Sequence, residues 1–249
     1  MSSFSLSLIT FLLVFGGAVF GNILRGAVPE HELSAESKDA VKLGVGLIAT
    51  MAALVLGLLT ASAKSSFDAQ NNELTELSSR IVLLDHVLNR YGDETRDARA
   101  ELRIATTHAI ESLSSRAAGS QTLGPSSNGE ALYEKISALT PKDDRQRAIY
   151  AQAMSIVMYM GETRWLIATQ TVNSVSLPML TILIFWLTII FVSFGLFAPR
   201  KWTVGISLFL SALSVSGAIF LILELYSPYG GVIRVSSAPL RAALTHLGQ

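Results

Sequence analysis

The chain has 249 residues, of which 50% are hydrophobic and only 15% are charged. Ordinary soluble domains carry roughly a quarter charged residues, so this composition argues against one. Cysteine is absent, which excludes disulfides, thiolate nucleophiles and cysteine-ligated metal centres. The 19 basic and 19 acidic residues balance, and this balance argues against nucleic acid as a partner.

Four apolar stretches are each long enough to cross a bilayer core, which needs roughly 20 helical residues. They cover about residues 4–24, 41–62, 177–197 and 202–226. The sequence therefore predicts an all-α, four-span integral membrane protein with a helical-bundle insert between spans two and three. The predicted regions are residues 1–62 (spans one and two), 63–175 (a helical domain outside the membrane that continues span two), 176–229 (a hairpin of spans three and four) and 230–249 (an amphipathic tail).

The first span contains Gly17 and Gly21. Small residues four apart allow two membrane helices to approach closely, so this pair indicates a helix contact. Glycine is also common in membrane helices in general, and the sequence does not decide between these two interpretations.

A heptad pattern follows the second span. Its apolar positions are Phe67, Leu74, Leu77, Ile81, Leu84, Leu88 and Tyr91. No glycine or proline interrupts residues 59–91, which predicts one continuous helix over about residues 41–91, ended by Gly92. We call the stripe formed by Leu74, Leu77, Ile81, Leu84 and Leu88 the seam. The sequence allows two partners for it: a second copy of the chain, or the chain's own helix around residues 102–113.

The remaining polar segments also have helical patterns. A helix is expected after Asp93, a short one around residues 130–139, and another from Thr140, with Thr140 as N-cap and Pro141 at the first helical position. The tail from Gly230 alternates apolar and basic residues. Such a segment suits the lipid headgroup layer, and docking against the chain's own bundle is the alternative.

Catalytic motifs are absent from the sequence. It contains no HExxH, GxSxG, GxxxxGK[ST] or GxGxxG. The four histidines, His31, His86, His108 and His246, have no second histidine or patterned acid at ligand spacing. We therefore expect no enzyme activity, no cofactor and no metal site.

Polar residues at the exit of span two are the first candidate functional site. Lys64 is followed by serine, glutamine and asparagine residues, and some of these lie on a heptad seam that is otherwise apolar. Such groups fix the register of an oligomer or line a hydrated passage; a snorkelling lysine on a solvated helix is the alternative. The predicted pore or selectivity residues are Leu56, Leu59, Thr60, Ala63, Lys64, Phe67 and Asn71.

Glu224, near the end of the fourth span, is the second candidate. An ionisable residue inside a membrane is costly unless it is paired. Arg234, ten residues later, could fold back to it. We therefore predict a charge pair between these two residues, with a structural role as the plain interpretation.

Four blocks in order resemble the bacterial bestrophin-like family. They are LGLL at 56–59 with AKSSFD at 63–68, LD at 84–85 with YGDET at 91–95, FGLFAPR at 194–200, and IRVSSAPLR at 233–241. The resemblance implies a homo-oligomeric channel in the bacterial inner membrane, pentameric and anion-conducting as bestrophins are, with a cytoplasmic helical domain. The implied partners are the lipid bilayer, further copies of the chain and small inorganic anions. No acidic calcium clasp is present in the sequence, so calcium gating is not implied. A non-conducting membrane scaffold, whose helical domain recruits a partner protein, is the alternative function.

Overall fold

The structure is a computed structural model that describes residues 3–29, 35–117, 127–170, 176–199, 201–227 and 230–248. These residues form helices and connecting turns without any strand, so the all-α prediction is confirmed. The helices are α1 (Ser3–Leu24), α2 (Ala35–Tyr91), α3 (Arg96–Ala117), α4 (Ser127–Ser137), α5 (Asp144–Gln170), α6 (Leu177–Phe197), α7 (Trp202–Leu225) and α8 (Ala238–His246).

The chain divides into two compact units. The membrane unit comprises Met1–Ser66 and Ser174–Tyr226, and the bundle unit comprises Phe67–Asn173 and Ser227–Gln249. Helix α2 contributes its first half to the membrane unit and its second half to the bundle unit. The boundaries follow the hydropathy of the sequence, because the apolar stretches lie in one unit and most charged residues in the other.

Four helices of the described chain, α1, α2, α6 and α7, are long and apolar enough to cross a membrane. In the membrane unit, α1 packs against both α6 and α7. Val14 of α1, Leu183 of α6 and Ile219 of α7 are fully buried in the shared core. Phe11 and Phe15 of α1 pack edge-on against Phe209 of α7.

Glycines bring α1 and α6 into backbone contact. A Cβ atom built on Gly21 would lie 2.1 Å from the carbonyl oxygen of Val192, and one built on Gly195 would lie 2.0 Å from that of Ala18. A Cβ on Gly17 would lie 3.2 Å from Thr188 and Val192. The close-approach interpretation of Gly17 and Gly21 is therefore correct, and Gly195 is the small residue that receives α1.

The bundle unit buries the heptad seam within a single chain. Leu74, Leu77, Ile81, Leu84 and Leu88 are at most 5% exposed. Their core neighbours come from α3, α4, α5, α8 and the residue that follows α8: Ala98, Leu102, Leu132, Ile136, Ala153, Ile156, Val157, Met160, Leu240, Ala243 and Leu247. Because a second copy has almost no surface left to cover on these side chains, the seam is not a contact between copies. Its partner is the chain's own bundle, and this corrects the oligomer assignment.

The turn after α2 forms as expected at Gly92. Its φ of 133° lies in the region that favours glycine. A single 3₁₀ turn, Asp93–Thr95, then leads into α3. The Thr95 hydroxyl donates to the Leu88 carbonyl at 2.7 Å, which holds the turn against the end of α2.

The predicted start of α5 is wrong by three residues. The helix begins at Asp144, so Thr140 and Pro141 lie before it. Asp143 takes the capping role, because its Oδ1 accepts a hydrogen bond from the Gln146 amide at 2.6 Å. The Gln146 side chain in turn accepts from the Lys142 amide at 2.9 Å.

The C-terminal tail docks within the bundle unit. Leu240, Ala243 and Leu247 of the α8 region are buried at 0%, 3% and 5% exposure. They join the core that contains the α2 seam. Of the two alternatives for this segment, the structure therefore shows docking on the chain's own bundle.

Candidate functional site: the exposed face of α2

The α2 span is the least packed of the four apolar helices. In its apolar window 17% of residues are buried, against 28% in α1, 33% in α6 and 28% in α7. The exposed side chains include Leu43 at 78%, Leu47 at 65%, Leu54 at 76% and Leu58 at 56%. These positions are spaced by four, seven and four, so they share one face of the helix. This face of α2 lacks a protein neighbour within the described chain.

The opposite face of α2 packs into the membrane unit. Val45, Ala52, Leu59 and Ala63 are 9%, 3%, 2% and 0% exposed and belong to its core. Leu59 and Ala63 were predicted to line a pore, and the structure corrects both assignments. Side chains already covered by their own chain cannot face a passage between copies.

The other predicted pore residues of the membrane unit have accessible positions. Leu56 is partly buried, and Thr60 and Lys64 are exposed. The Thr60 hydroxyl donates to the Leu56 carbonyl at 2.8 Å, within its own helix. Thr60 and Lys64 therefore lie at the surface of α2 in the described chain.

Sequence reasoning missed Leu54, Leu58 and Ala61 as members of the exposed face. A Cβ built on Gly57 would meet no atom within 4 Å. The apolar span carries leucine and small residues on both faces, so hydropathy contains no signal that separates the packed side from the open one. Only the packing of α1, α6 and α7 makes the distinction.

Phe67 and Asn71 lie at the start of the α2 segment in the bundle unit, and both are partly buried. Between them in sequence, Gln70 is 6% exposed. Its side-chain oxygen has no hydrogen-bond partner among the described residues. The polar run after Lys64 is thus divided between a solvated side and a side that packs into the bundle.

Glu224 is buried in the membrane unit with 4% exposure. Nearby in sequence, the Tyr226 hydroxyl donates to the Ser62 Oγ at 3.0 Å, which joins the ends of α7 and the α2 span. Arg234 is exposed, and its Nε donates to the Gly231 carbonyl at 2.6 Å. Because Glu224 and Arg234 belong to different units, their pairing stays a prediction.

One surface cluster in the bundle unit carries paired charge. The Tyr159 hydroxyl donates to Glu76 at 2.8 Å, and Arg80 lies 3.3 Å from the same carboxylate and 4.5 Å from the Tyr159 ring centroid. The hydrogen bonds from Tyr159 and then Arg80 lower the pKa of Glu76 from its ordinary value. No group of three or more His, Asp or Glu side chains that could hold a metal occurs in the described part of the chain.

These features define an all-helical membrane protein whose second span continues into a helical bundle. A family model described as Bestrophin-like domain matches residues 12–240. The chain therefore belongs to the bestrophin-like family, as the sequence blocks indicated.

The fold is similar to a solved bacterial bestrophin homolog from Klebsiella pneumoniae, crystallised with a single substitution. The TM-score is 0.67 and the sequence identity 13%, over 98% of this chain and 99% of that chain. At this identity the likeness establishes a shared fold. No curated protein matches the sequence.

Proposed function

We propose that this protein is a homo-oligomeric anion channel of the bacterial inner membrane, in which the α2 helices of several copies surround the ion path. The observation that carries the proposal is the exposed face of α2 within its apolar span. Membership of the bestrophin-like family supports the channel class. The resemblance described above favours a pentamer with a cytoplasmic bundle unit, and both belong to the proposal.

The composition of the exposed face suits a narrow apolar passage. Leu54 and Leu58 supply apolar surface, while Gly57 and Ala61 are small enough for neighbouring helices to approach closely. Closed rotational symmetry places the same face of every copy around one axis. A ring of apolar side chains at that axis forms a constriction that conducts when it is wetted and closes when water leaves it.

Lys64 supplies the anion preference in this proposal. It lies within the last residues of the membrane unit, and its side chain is exposed. Each copy contributes one ammonium group, so a symmetric assembly presents a ring of positive charge that attracts anions and repels cations. Asp68 and Glu73 follow on the same helix and reduce the net positive potential.

Reconstitution of the purified chain into planar bilayers tests conduction directly. With a potassium chloride gradient, we expect currents whose reversal potential lies closer to the equilibrium potential of chloride than to that of potassium. Images of the particle along its symmetry axis should show an axial hole surrounded by α2. No current above protein-free bilayers over a range of voltages, together with a particle that has no axial hole, would defeat the proposal.

A membrane scaffold is the second candidate, and exposed apolar side chains in the bundle unit favour it. Met158 is 62% exposed, Ile104 48% and Tyr133 45%. Such side chains on a polar unit are suited to protein contacts. The two candidates differ in the bilayer experiment: a scaffold gives no current even when the purified protein is folded and oligomeric.

A further inference from the structure

A surface cavity of about 310 Å³ lies between α2 and α5 of the bundle unit. Its α2 side is formed by one helix face that carries Ser79, Leu83, His86 and Arg90, with spacings of four, three and four. Gln152 of α5 borders the same cavity. Both walls belong to one compact unit, so the cavity does not depend on the placement of the membrane unit.

The polar groups of this cavity are hydrogen-bond donors, and one of them carries a positive charge. Arg90 brings a guanidinium, His86 a ring N–H and Gln152 an amide NH₂. All three side chains are exposed, and within the described residues none of the three has an ion pair or a hydrogen bond. Among the residues that the structure describes, no acidic side chain lines the cavity. The charge and the donors therefore match an anion.

The neighbouring acid attracts His86 but has a stronger partner in Arg99. Asp85 precedes His86 in sequence, but its side chain is 4% exposed and is bound by Arg99 on the other side of α2. The Ser79 hydroxyl is also engaged, since it donates to the Thr75 carbonyl at 3.2 Å. Arg90, His86 and Gln152 are thus the groups that remain for a ligand.

The apolar part of the lining indicates what kind of anion fits. Leu83 is 41% exposed, and Val82 beside it is partly buried. A hydrated inorganic ion gains no binding free energy from such apolar surface, whereas the hydrocarbon part of an organic acid does. We propose that this cavity is a binding site for a small soluble carboxylate with a short apolar chain, held at the carboxylate by Arg90, His86 and Gln152 and at the chain by Leu83 and Val82.

Histidine signals give a direct test on the full-length protein. The method is nuclear magnetic resonance of protein with ¹³C-labelled imidazole rings. The chain has four histidines, so the spectrum shows few resonances, and the His86→Asn variant assigns one of them. At fixed pH in phosphatidylcholine nanodiscs, addition of hexanoate should move the His86 signal in a saturable way. The signals of His108 and His246, outside the cavity, serve as internal references.

Ligand and protein controls separate the contribution of charge to binding from that of hydrophobicity. Hexylamine has the same chain with the opposite charge and should leave His86 unmoved, and acetate should bind more weakly than hexanoate because it lacks the chain. Arg90→Gln should weaken hexanoate roughly fivefold, the effect of about one solvent-exposed charge contact. Arg241→Gln, an exposed arginine of α8, should leave the affinity unchanged.

Three results would contradict the proposed site: no shift of the His86 resonance, equal shifts of all histidine resonances, or the same hexanoate affinity for Arg90→Gln as for the unaltered chain. Each result is independent of ion conduction, because the measurement is of binding alone. Unchanged positions of the reference histidines in each variant show that it is folded.

Discussion

Arg99 binds Asp85 through two parallel hydrogen bonds, with Nε 2.8 Å from Oδ1 and Nη2 2.9 Å from Oδ2. Arg99 also donates to Asn89 Oδ1 at 2.9 Å, and the Gly248 amide donates to Asp85 Oδ2 at 3.3 Å. The carboxylate is 4% exposed. One buried acid thus joins α2, α3 and the C-terminal end of the chain.

Loss of this pair should destabilise the bundle unit. Asp85→Asn removes the charge that compensates Arg99, at a cost on the order of 3 kcal/mol. Thermal unfolding in detergent, followed by circular dichroism, should show a lower midpoint. Asp93→Asn is the matched control, because its pair with Arg96 is 86% and 78% exposed and contributes at most about 1 kcal/mol. Equal midpoints for the two variants would contradict the role given to Asp85.

The same pair predicts a pH dependence. Burial by itself would raise the pKa of Asp85, but the hydrogen bonds from Arg99 and Gly248 outweigh it and hold the pKa below its ordinary value. The contribution to stability is therefore complete above the unfolded pKa of about 3.9 and is lost as the pH falls through the lower folded value. The thermal midpoint of the unaltered protein should therefore fall at acidic pH, and Asp85→Asn should reduce this fall.

Close packing of α1 on α6 should fail when a methyl group is added. Gly21→Ala and Gly195→Ala each place a Cβ about 2 Å from a backbone carbonyl, so the helices must separate, at a cost of about 1–3 kcal/mol. We expect a lower thermal midpoint for each. Gly16→Ala is the control on the same helix, since a Cβ there meets nothing within 4 Å. A midpoint for Gly21→Ala equal to that of Gly16→Ala would show that the contact does not hold the helices.

Ile81→Asp should prevent folding of the bundle unit rather than separate folded copies. Ile81 is 3% exposed inside the single-chain core, and an unpaired charge there costs several kcal/mol. Circular dichroism and size-exclusion chromatography should show an unfolded or aggregated protein. Leu83→Asp, at a position 41% exposed on the same helix, should remain folded. A folded Ile81→Asp protein of smaller mass would instead restore the seam as a contact between copies.

Charge reversal at Lys64 should change ion selectivity. If α2 surrounds the ion path, Lys64→Glu replaces a ring of positive charges by negative ones and moves the reversal potential toward that of potassium. Lys64→Arg preserves the charge and should leave it unchanged. The measurement is the bilayer reversal potential in a potassium chloride gradient, and indifference to Lys64→Glu would remove Lys64 from the selectivity site.

Membrane orientation follows from paired cysteine labelling in a chain without native cysteine. With four spans, the insert between spans two and three and the short connection between spans three and four face opposite sides. Ser115→Cys in α3 and Lys201→Cys before α7 are both at exposed positions. A membrane-impermeant maleimide added to intact spheroplasts should label only Lys201→Cys. Labelling of only Ser115→Cys would invert the proposed orientation.

Much of the architecture could be predicted from the sequence because its causes are local. Twenty apolar residues in a row are enough to specify a membrane helix. The absence of glycine and proline between residues 59 and 91 is enough for α2 to continue without a break. Gly92 ends that helix because its φ of 133° is one that other residues rarely adopt. The start of α5 is an exception, because Asp143 and Thr140 both have suitable capping side chains and the choice depends on hydrogen bonds to Gln146.

Only the tertiary structure decided which partner each helix face has. The heptad seam has the same pattern whether Leu84 packs against a second copy or into the core of its own chain, and the fold shows the latter, with Leu102 in the same core. Leu58 and Leu59 are adjacent and chemically identical, yet one is 56% exposed and the other 2%. The sequence determined that a long apolar helix would form, because that depends on residues near one another in the chain. Which side of it remains open depends on which face joins the core that α1, α6 and α7 form, and that core is made by contacts distant in sequence.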